Sequence, residues 1–307
     1  GNESATHAAR VEGGTGLFFR SGASRARDFP EAGVVWFSDG TASGTSPIRY
    51  LTADQADTSA ENAVSAGQRI LFSAQTFGQG YRLFSFDPIL REAKAVPRLV
   101  GVDPFEVQPL ANHGFAVSGS APAVFNDQYP DGQLVRVNDD GSLEPIAGTA
   151  TVGFGGYIHK VVSLNGWLYF LSADEAYQLS LWRTDGTSSG TEQVQVLTPN
   201  GVDAESLRLV AGTNRMYVAF REVTANSTVV WTSDGSTNGT KQVGGAFADG
   251  SVLIPTPVNY SEMSRIFLVA DDRLFLAAYH TQSGWEIWST DGTAAGTQVA
   301  SESTAPG

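Results

Sequence analysis

The 307-residue chain has no cysteine, which removes disulfides, thiolate zinc sites, iron–sulfur clusters and cysteine nucleophiles together. Lysine is nearly missing too: Lys94, Lys160 and Lys241 leave sixteen arginines among 19 basic residues, against 32 Asp and Glu. At a formal charge of −13 the chain lacks the basic face that nucleic acid or an anionic lipid surface demands as main partner. No run approaches the roughly 18 consecutive apolar residues of a membrane helix, and the opening GNESATHAAR has no apolar core of an export signal. No amphipathic helix longer than two turns can be drawn. His7, His113, His159 and His280 are scattered with no i,i+4 pair, so zinc is not expected. Neither G-x-S-x-G nor a phosphate-binding loop occurs, and the Gly-rich GGTGLFF near Gly13 leads into a strand. These gaps leave no cofactor to expect.

What the chain does have is turns and repeats. Its 34 Gly and 13 Pro make up about 15% of it, the composition of a turn-dense, mostly β protein. Four segments align without gaps: WFSDGTASGT from Trp36, WRTDGTSSGT from Trp182, WTSDGSTNGT from Trp231 and WSTDGTAAGT from Trp288. Two weaker copies fall between, with Phe84 and Asp87 in LFSFDP, and Val135 followed by Asn138, Asp139, Asp140 and Gly141 in LVRVNDDGS. The six anchors stand 48, 51, 47, 49 and 57 residues apart.

Upstream of each anchor runs a short apolar segment: GLFF, RILFSA, GFAVSG, WLYFLSA, RMYVAF and RLFLAA. Short, β-branched and aromatic, and bounded by Gly, Asn or Asp, these read as buried strands. Four strands every ~40 to 50 residues is the period of a propeller blade. The sequence therefore predicts an all-β, six-bladed β-propeller with four antiparallel strands per blade. One domain is expected over residues 1–307, with blades near 7–53, 58–101, 105–149, 155–200, 206–250 and 262–302. Residues 1–6 form a polar tether.

The motif W-x-[ST]-D-G-[TS]-x-x-G-T resembles the ELWxSDGTxxGT repeats, sometimes called hyalin-like, of bacterial secreted and cell-surface proteins. The leading Glu-Leu survives only as Glu286 and Ile287. The turn is also similar to the Asp-box hairpin of sialidase-like propellers. The resemblance spans nearly the whole chain and implies an extracellular or cell-surface location with an adhesive or binding role. A periplasm-facing protein or an outer-membrane lipoprotein, anchored by lipid through a removed or missing N-terminus, falls within it. It carries no catalytic residue to transfer.

Physically, the motif reads as a folding device. Asp39, Asp185, Asp234 and Asp291 can accept hydrogen bonds from the amides of their own turns, while Gly40, Gly186, Gly235 and Gly292 can take a positive φ. Trp36, Trp182, Trp231 and Trp288 are suited to filling the space between blades. Each turn offers one carboxylate where calcium wants about six to eight oxygens. Asp139 and Asp140 are the weak cation candidates, adjacent but without alternating ligand spacing, and no metal is expected. Arg69, Arg215 and Arg273 share one repeat position, which favours scaffold over catalysis.

Function in a repeat protein is sought where the repeat breaks. Residues 21–33 and 120–132 lengthen second-to-third strand loops, and 247–263 lengthen the link into blade six. In a propeller those connections share a face opposite the DGT turns. They supply Arg25, Arg27 and Asp28; Asn126, Asp127, Tyr129 and Asp131; and Asn259, Tyr260 and Glu262. Aromatics beside planar hydrogen-bonding groups suit a sugar ring or a peptide strand. Trp285 is not explained by the repeat either. The expectation is a non-enzymatic binding or assembly module with a protein or glycan partner. The rivals are a glycosidase-like enzyme, with two carboxylates in hydrolytic geometry, and a multivalent lectin.

Overall fold

The computed structural model describes residues 6–10, 17–20, 35–50, 60–76, 80–100, 108–110, 113–117, 134–138, 142–146, 158–173, 178–198, 201–203, 206–222, 227–244, 247, 252–253 and 266–301. Strands dominate them. The chain divides into two compact units, Gly1–Ala150 and Thr151–Gly307, each built of three sheets.

In the first unit, sheet one is β1 (Thr6–Arg10), β2 (Leu17–Arg20), β3 (Val35–Ser38) and β4 (Ser46–Pro47). After β5 (Arg49–Tyr50), sheet two runs through β6 (Ala60–Ala66), β7 (Arg69–Thr76), β8 (Gly80–Asp87) and β9 (Glu92–Val100). Sheet three is β10 (Gln108–Leu110), β11 (His113–Val117), β12 (Leu134–Val137) and β13 (Leu143–Pro145). Each sheet is an antiparallel meander of four consecutive strands. The departure is β5, which leaves sheet one and pairs in parallel with the outer edge of sheet two, Arg49 opposite Glu92 and Tyr50 opposite Ala93.

The second unit repeats the plan. Sheet four is β14 (Ile158–Leu164), β15 (Trp167–Ala173), β16 (Leu179–Thr184) and β17 (Glu192–Thr198). Sheet five is β18 (Arg208–Ala211), β19 (Met216–Glu222), β20 (Ser227–Ser233) and β21 (Lys241–Gln242). Sheet six holds β22 (Val252–Leu253), β23 (Phe267–Ala270), β24 (Arg273–His280), β25 (Gly284–Thr290) and β26 (Gln298–Ser301). Here β22 and β23 occupy one lane, since Val252 and Leu253 face His280 and Tyr279 while Phe267 to Ala270 face Leu276 to Arg273.

The six apolar runs of the sequence are the second strands β2, β7, β11, β15, β19 and β24. They read as continuous hydrophobic stretches because both of their faces are covered. In β15, Leu168, Tyr169, Phe170 and Leu171 are all buried, as are Met216 to Phe220 in β19. The hairpin from β14 to β15 turns at Asn165 and Gly166, both at positive φ (50° and 77°), and that from β23 to β24 at Asp271 and Asp272 (50° and 56°). Two consecutive positive φ values give a turn whose twist matches the strands it joins.

The core lies between neighbouring sheets. Leu171, Leu181 and Val194 of sheet four pack with Leu209, Met216 and Phe220 of sheet five, with Trp231 against them. Tyr217, Ala219 and Val230 pack with Leu274, Leu276 and Trp288 of sheet six. In the first unit, Phe37 and Ile48 meet Ile70, Phe72 and Phe86. Leu71, Leu83 and Val96 meet Val135 and Val137. Trp231 and Trp288 thus face the preceding sheet. Their indole N–H groups, like that of Trp182, are buried without an acceptor among the described residues, so these side chains act through apolar contact rather than hydrogen bonding.

Polar latches reinforce the seams of the second unit. The Tyr169 hydroxyl (3.5 Å) and Arg183 Nη1 (3.3 Å) both donate to the carbonyl of Gly235 in the next sheet's DGT turn. One sheet on, Tyr217 donates its hydroxyl to the carbonyl of Asp272 (2.7 Å), with that of Thr290 at 3.4 Å, and Arg215 Nη1 donates to that of Asp291. Asp272 answers by accepting the backbone N–H groups of Thr213 (2.9 Å) and Asn214 (3.0 Å). The two glycines Gly40 and Gly235 share a φ near +90° (90° and 94°), but a Cβ on Gly40 meets nothing within 4 Å while one on Gly235 would stand 2.0 Å from the Tyr169 hydroxyl. Gly40→Ala should therefore cost about 1 kcal/mol for the backbone alone. Gly235→Ala should cost at least about 2 kcal/mol, because buried Tyr169 must also move. Equal losses in denaturant titrations of the two variants would show that the seam contributes nothing.

Candidate functional site

The four clear DGT turns have one geometry, and every fixed position of the motif has a role in it. In the turn after β16, Asp185 Oδ1 accepts the backbone N–H (2.9 Å) and the hydroxyl (2.6 Å) of Thr187. The same hydroxyl oxygen accepts the N–H of Gly190 at 3.0 Å. Thr191 donates its hydroxyl to the carbonyl of Thr187 (2.7 Å), and Thr184 accepts the N–H of Gly186 (3.0 Å) while meeting Thr191 at 2.8 Å. Asp39, Asp234 and Asp291 repeat the pattern with Thr41, Ser236 and Thr293. The first glycine supplies positive φ. The second is needed for closeness, since a Cβ on Gly190 would fall 2.1 Å from Asp185 Oδ1, and Gly44, Gly239 and Gly296 stand the same way to their own aspartates.

Hydrogen bonds to the charged form hold all four carboxyls below the usual aspartate range. The Thr187 hydroxyl is the largest cause at Asp185, and Thr41 and Thr293 act likewise at Asp39 and Asp291. At Asp234 the Ser236 amide leads. Two of the outer oxygens face arginines as well: Arg91 lies 3.6 Å from Asp39 Oδ2 and Arg273 3.7 Å from Asp291 Oδ2. In the weak copy of sheet two, Asp87 Oδ1 accepts the N–H groups of Ile89 (2.9 Å) and Leu90 (3.0 Å), with Arg69 at 3.5 Å from Oδ2. In sheet three Asn138 replaces the aspartate and bonds Ser142 through its backbone N–H (2.9 Å) and its side-chain amide (3.1 Å). Asp139 and Asp140 lie outside the described residues. Among those described, no group of three His, Asp or Glu side chains could hold a metal.

The residues expected to bind a partner, Arg25, Arg27, Asp28, Asn126, Asp127, Tyr129, Asp131, Asn259, Tyr260 and Glu262, also lie outside the described residues. Their stems are described. Residues 21–33 sit inside the β2–β3 hairpin, which closes with Arg20 opposite Val35. Residues 120–132 sit inside the β11–β12 hairpin, which closes with Val117 opposite Leu134. Both open at the end of their sheet opposite its DGT-type turn. The segment 247–263 differs from the expected inter-blade link. Buried Val252 claims a place beside His280, so the insertion interrupts the edge strand of sheet six instead of preceding it.

The second-to-third end of sheet six carries groups that the repeat did not single out. Tyr279, 42% exposed, meets Trp285 edge to face at 5.9 Å and 78°. His280 Nδ1 lies 3.3 Å from the N–H groups of Gln282 and Ser283. At the same end of sheet five, Glu222 Oε1 accepts the hydroxyl of Thr198 of sheet four at 2.5 Å. Arg208 nearby is partly buried, and desolvation lowers its pKa against the opposing pull of Asp203. Of these groups the sequence pointed only to Trp285, as a residue the repeat does not explain.

No family model and no curated protein matches the chain. Solved structures do. Over 99% of its length the chain is similar to the structure of a prolyl endopeptidase at 12% identity and a TM-score of 0.58, covering 43% of that protein. Over 94% it is similar to the β-propeller domain of the Trilobed protease from Pyrococcus furiosus, at 14% identity and a TM-score of 0.50, covering 79%. The fold is a six-bladed β-propeller, with four antiparallel strands per blade. An uncharacterized protein of Listeria monocytogenes EGD-e is similar over 97% of the chain, at 10% identity, a TM-score of 0.53 and 81% coverage. At these identities the likeness is one of fold, and the chain spans less than half of the endopeptidase.

Since the aspartates are satisfied by their own exposed turns, Asp185→Ala should destabilise by about 0.5 to 1.5 kcal/mol, the net worth of hydrogen bonds that water partly replaces. Each carboxyl titrates lower in the folded chain than in the unfolded one, where the value is about 3.9. Their contribution is thus complete above pH ~4 and lost as pH falls through the folded pKa values. Melting temperature against pH should show this acid-side loss, reduced in Asp185→Asn. Equal slopes for the two proteins would exclude the Asp185 carboxylate as a source.

Proposed function

We propose that the chain is a non-enzymatic binding or assembly module of the bacterial cell surface or secreted fraction. It takes a protein or glycan partner at the blade ends that carry the lengthened second-to-third strand loops. The observation that carries this reading is the division of labour among the repeated side chains. The aspartates and arginines that might have formed a reactive array are spent on turn amides, seam carbonyls and ion pairs. The departures from the repeat lie elsewhere, with residues 21–33 and 120–132 inside hairpins of the same unit that open away from the DGT-type turns. Arg25, Arg27, Tyr129 and the amides and carboxylates beside them are groups that recognise planar acceptors and sugar rings.

The location rests on the resemblance of the repeat to secreted and cell-surface proteins. The described residues contain no helix long and apolar enough to cross a membrane.

A glycan array and a panel of extracellular-matrix proteins test the reading. Binding should be found, should weaken as salt screens the two guanidinium groups, and should fall several-fold in Arg25→Ala/Arg27→Ala with an unchanged melting temperature. Turnover of a bound glycoside would replace the module with a carbohydrate-active enzyme. Several equivalent sugars per chain would make it a lectin. A complex that leaves residues 21–33 and 120–132 free would remove the proposed surface.

A further inference from the structure

The turn between β8 and β9 departs from the repeat in another way. Where the four clear copies carry D-G-[TS]-x-x-G-T, this one reads Asp87-Pro88-Ile89-Leu90-Arg91. Ile89 and Leu90 are 79% and 63% exposed, the highest values for large hydrophobic side chains among the described residues. They sit on a framework held from below. Asp87 Oδ1 accepts the N–H groups of both, Arg69 neutralises Asp87, and Arg91, at a φ of +56°, reaches Asp39 at 3.6 Å and Ser46 Oγ at 3.5 Å. A non-glycine residue at positive φ is costly, and Arg91 adopts it directly after the two exposed aliphatic residues.

We propose that this turn is a docking tip for an uncharged lipid surface. Three observations favour a bilayer. At the apex Pro88 has no amide donor and those of Ile89 and Leu90 donate to Asp87 Oδ1, which lowers the cost of bringing this backbone to lipid, where polar groups must be satisfied internally. Three ion pairs surround it: Asp39 with Arg91 at 3.6 Å, Asp87 with Arg69 at 3.5 Å and Glu92 with Lys94 at 3.9 Å. A chain of charge −13 can therefore bring this spot against zwitterionic headgroups, while anionic lipid would repel the rest of it. The anchor is also purely aliphatic, with no Trp, Tyr or Arg side chain at its tip, the residue types that dominate hot spots between proteins.

The test is cosedimentation of the full chain with phosphatidylcholine vesicles at millimolar lipid. A second readout comes from Leu90→Cys, the only thiol in an otherwise cysteine-free chain, carrying a bimane label. Binding with blue-shifted bimane emission is expected. Ile89→Ser and Leu90→Ser should each weaken partitioning about tenfold without lowering the melting temperature. Added salt should change little, and phosphatidylglycerol in the vesicles should weaken binding. The proposal fails if vesicles do not bind, if the double serine variant binds as well as wild type, or if anionic lipid strengthens binding. It also fails if the two side chains matter only to self-association in sedimentation equilibrium, which would make the occupant a second copy.

Discussion

One carboxylate oxygen organises each DGT turn. Asp Oδ1 gathers an amide and a hydroxyl two residues on, and that hydroxyl receives the next turn amide, so the loop from third to fourth strand closes on itself without help from the rest of the protein. A turn that is complete locally can serve as a fixed point for something else. In both units a neighbouring sheet uses it in this way, with Arg91 of sheet two meeting Asp39, Tyr169 and Arg183 of sheet four meeting Gly235, and Arg215 of sheet five meeting Asp291. The motif therefore works at two levels, as a local cap and as the receiving half of a joint between sheets.

The sequence reading and the structure agree most closely where interactions are local. Period, strand positions, turn aspartates and the first motif glycine were all readable, because a short carboxylate and a positive φ act within a few residues. The second glycine was visible as a letter of the motif but not as a reason, because its closeness to the aspartate appears only once the turn has curled. The seam partners were hidden altogether. Nothing in WLYFLSA says that Tyr169, rather than another apolar position, will meet a carbonyl in the following sheet.

The candidate site was legible in a different sense. Breaks in the repeat point to residues 21–33 and 120–132 directly, and their stems are hairpins of the expected kind. The break at 247–263 was equally visible but its attachment was not. Two residues, Val252 and Leu253, are too short a strand to declare themselves, and they gain their place from pairing with β24 and from the burial of Val252. Tyr279 escaped notice for the opposite reason: it directly follows a run that reads as core, and only the strand register shows it opposite Trp285.

The parallel strand β5 makes the repeating unit of the sequence differ from the structural unit. Arg49 and Tyr50 follow the first DGT motif in the chain, yet they finish the outer edge of sheet two, opposite Glu92 and Ala93. Sheet two therefore borrows its last edge from chain made before its own first strand. A cut placed by the sequence period alone, after residue 53, would leave sheet two with an open edge, the feature that invites pairing with foreign strands. The separable piece begins before Arg49. Exchanging blades between chains of this kind therefore means moving the boundary back into the tail of the preceding repeat.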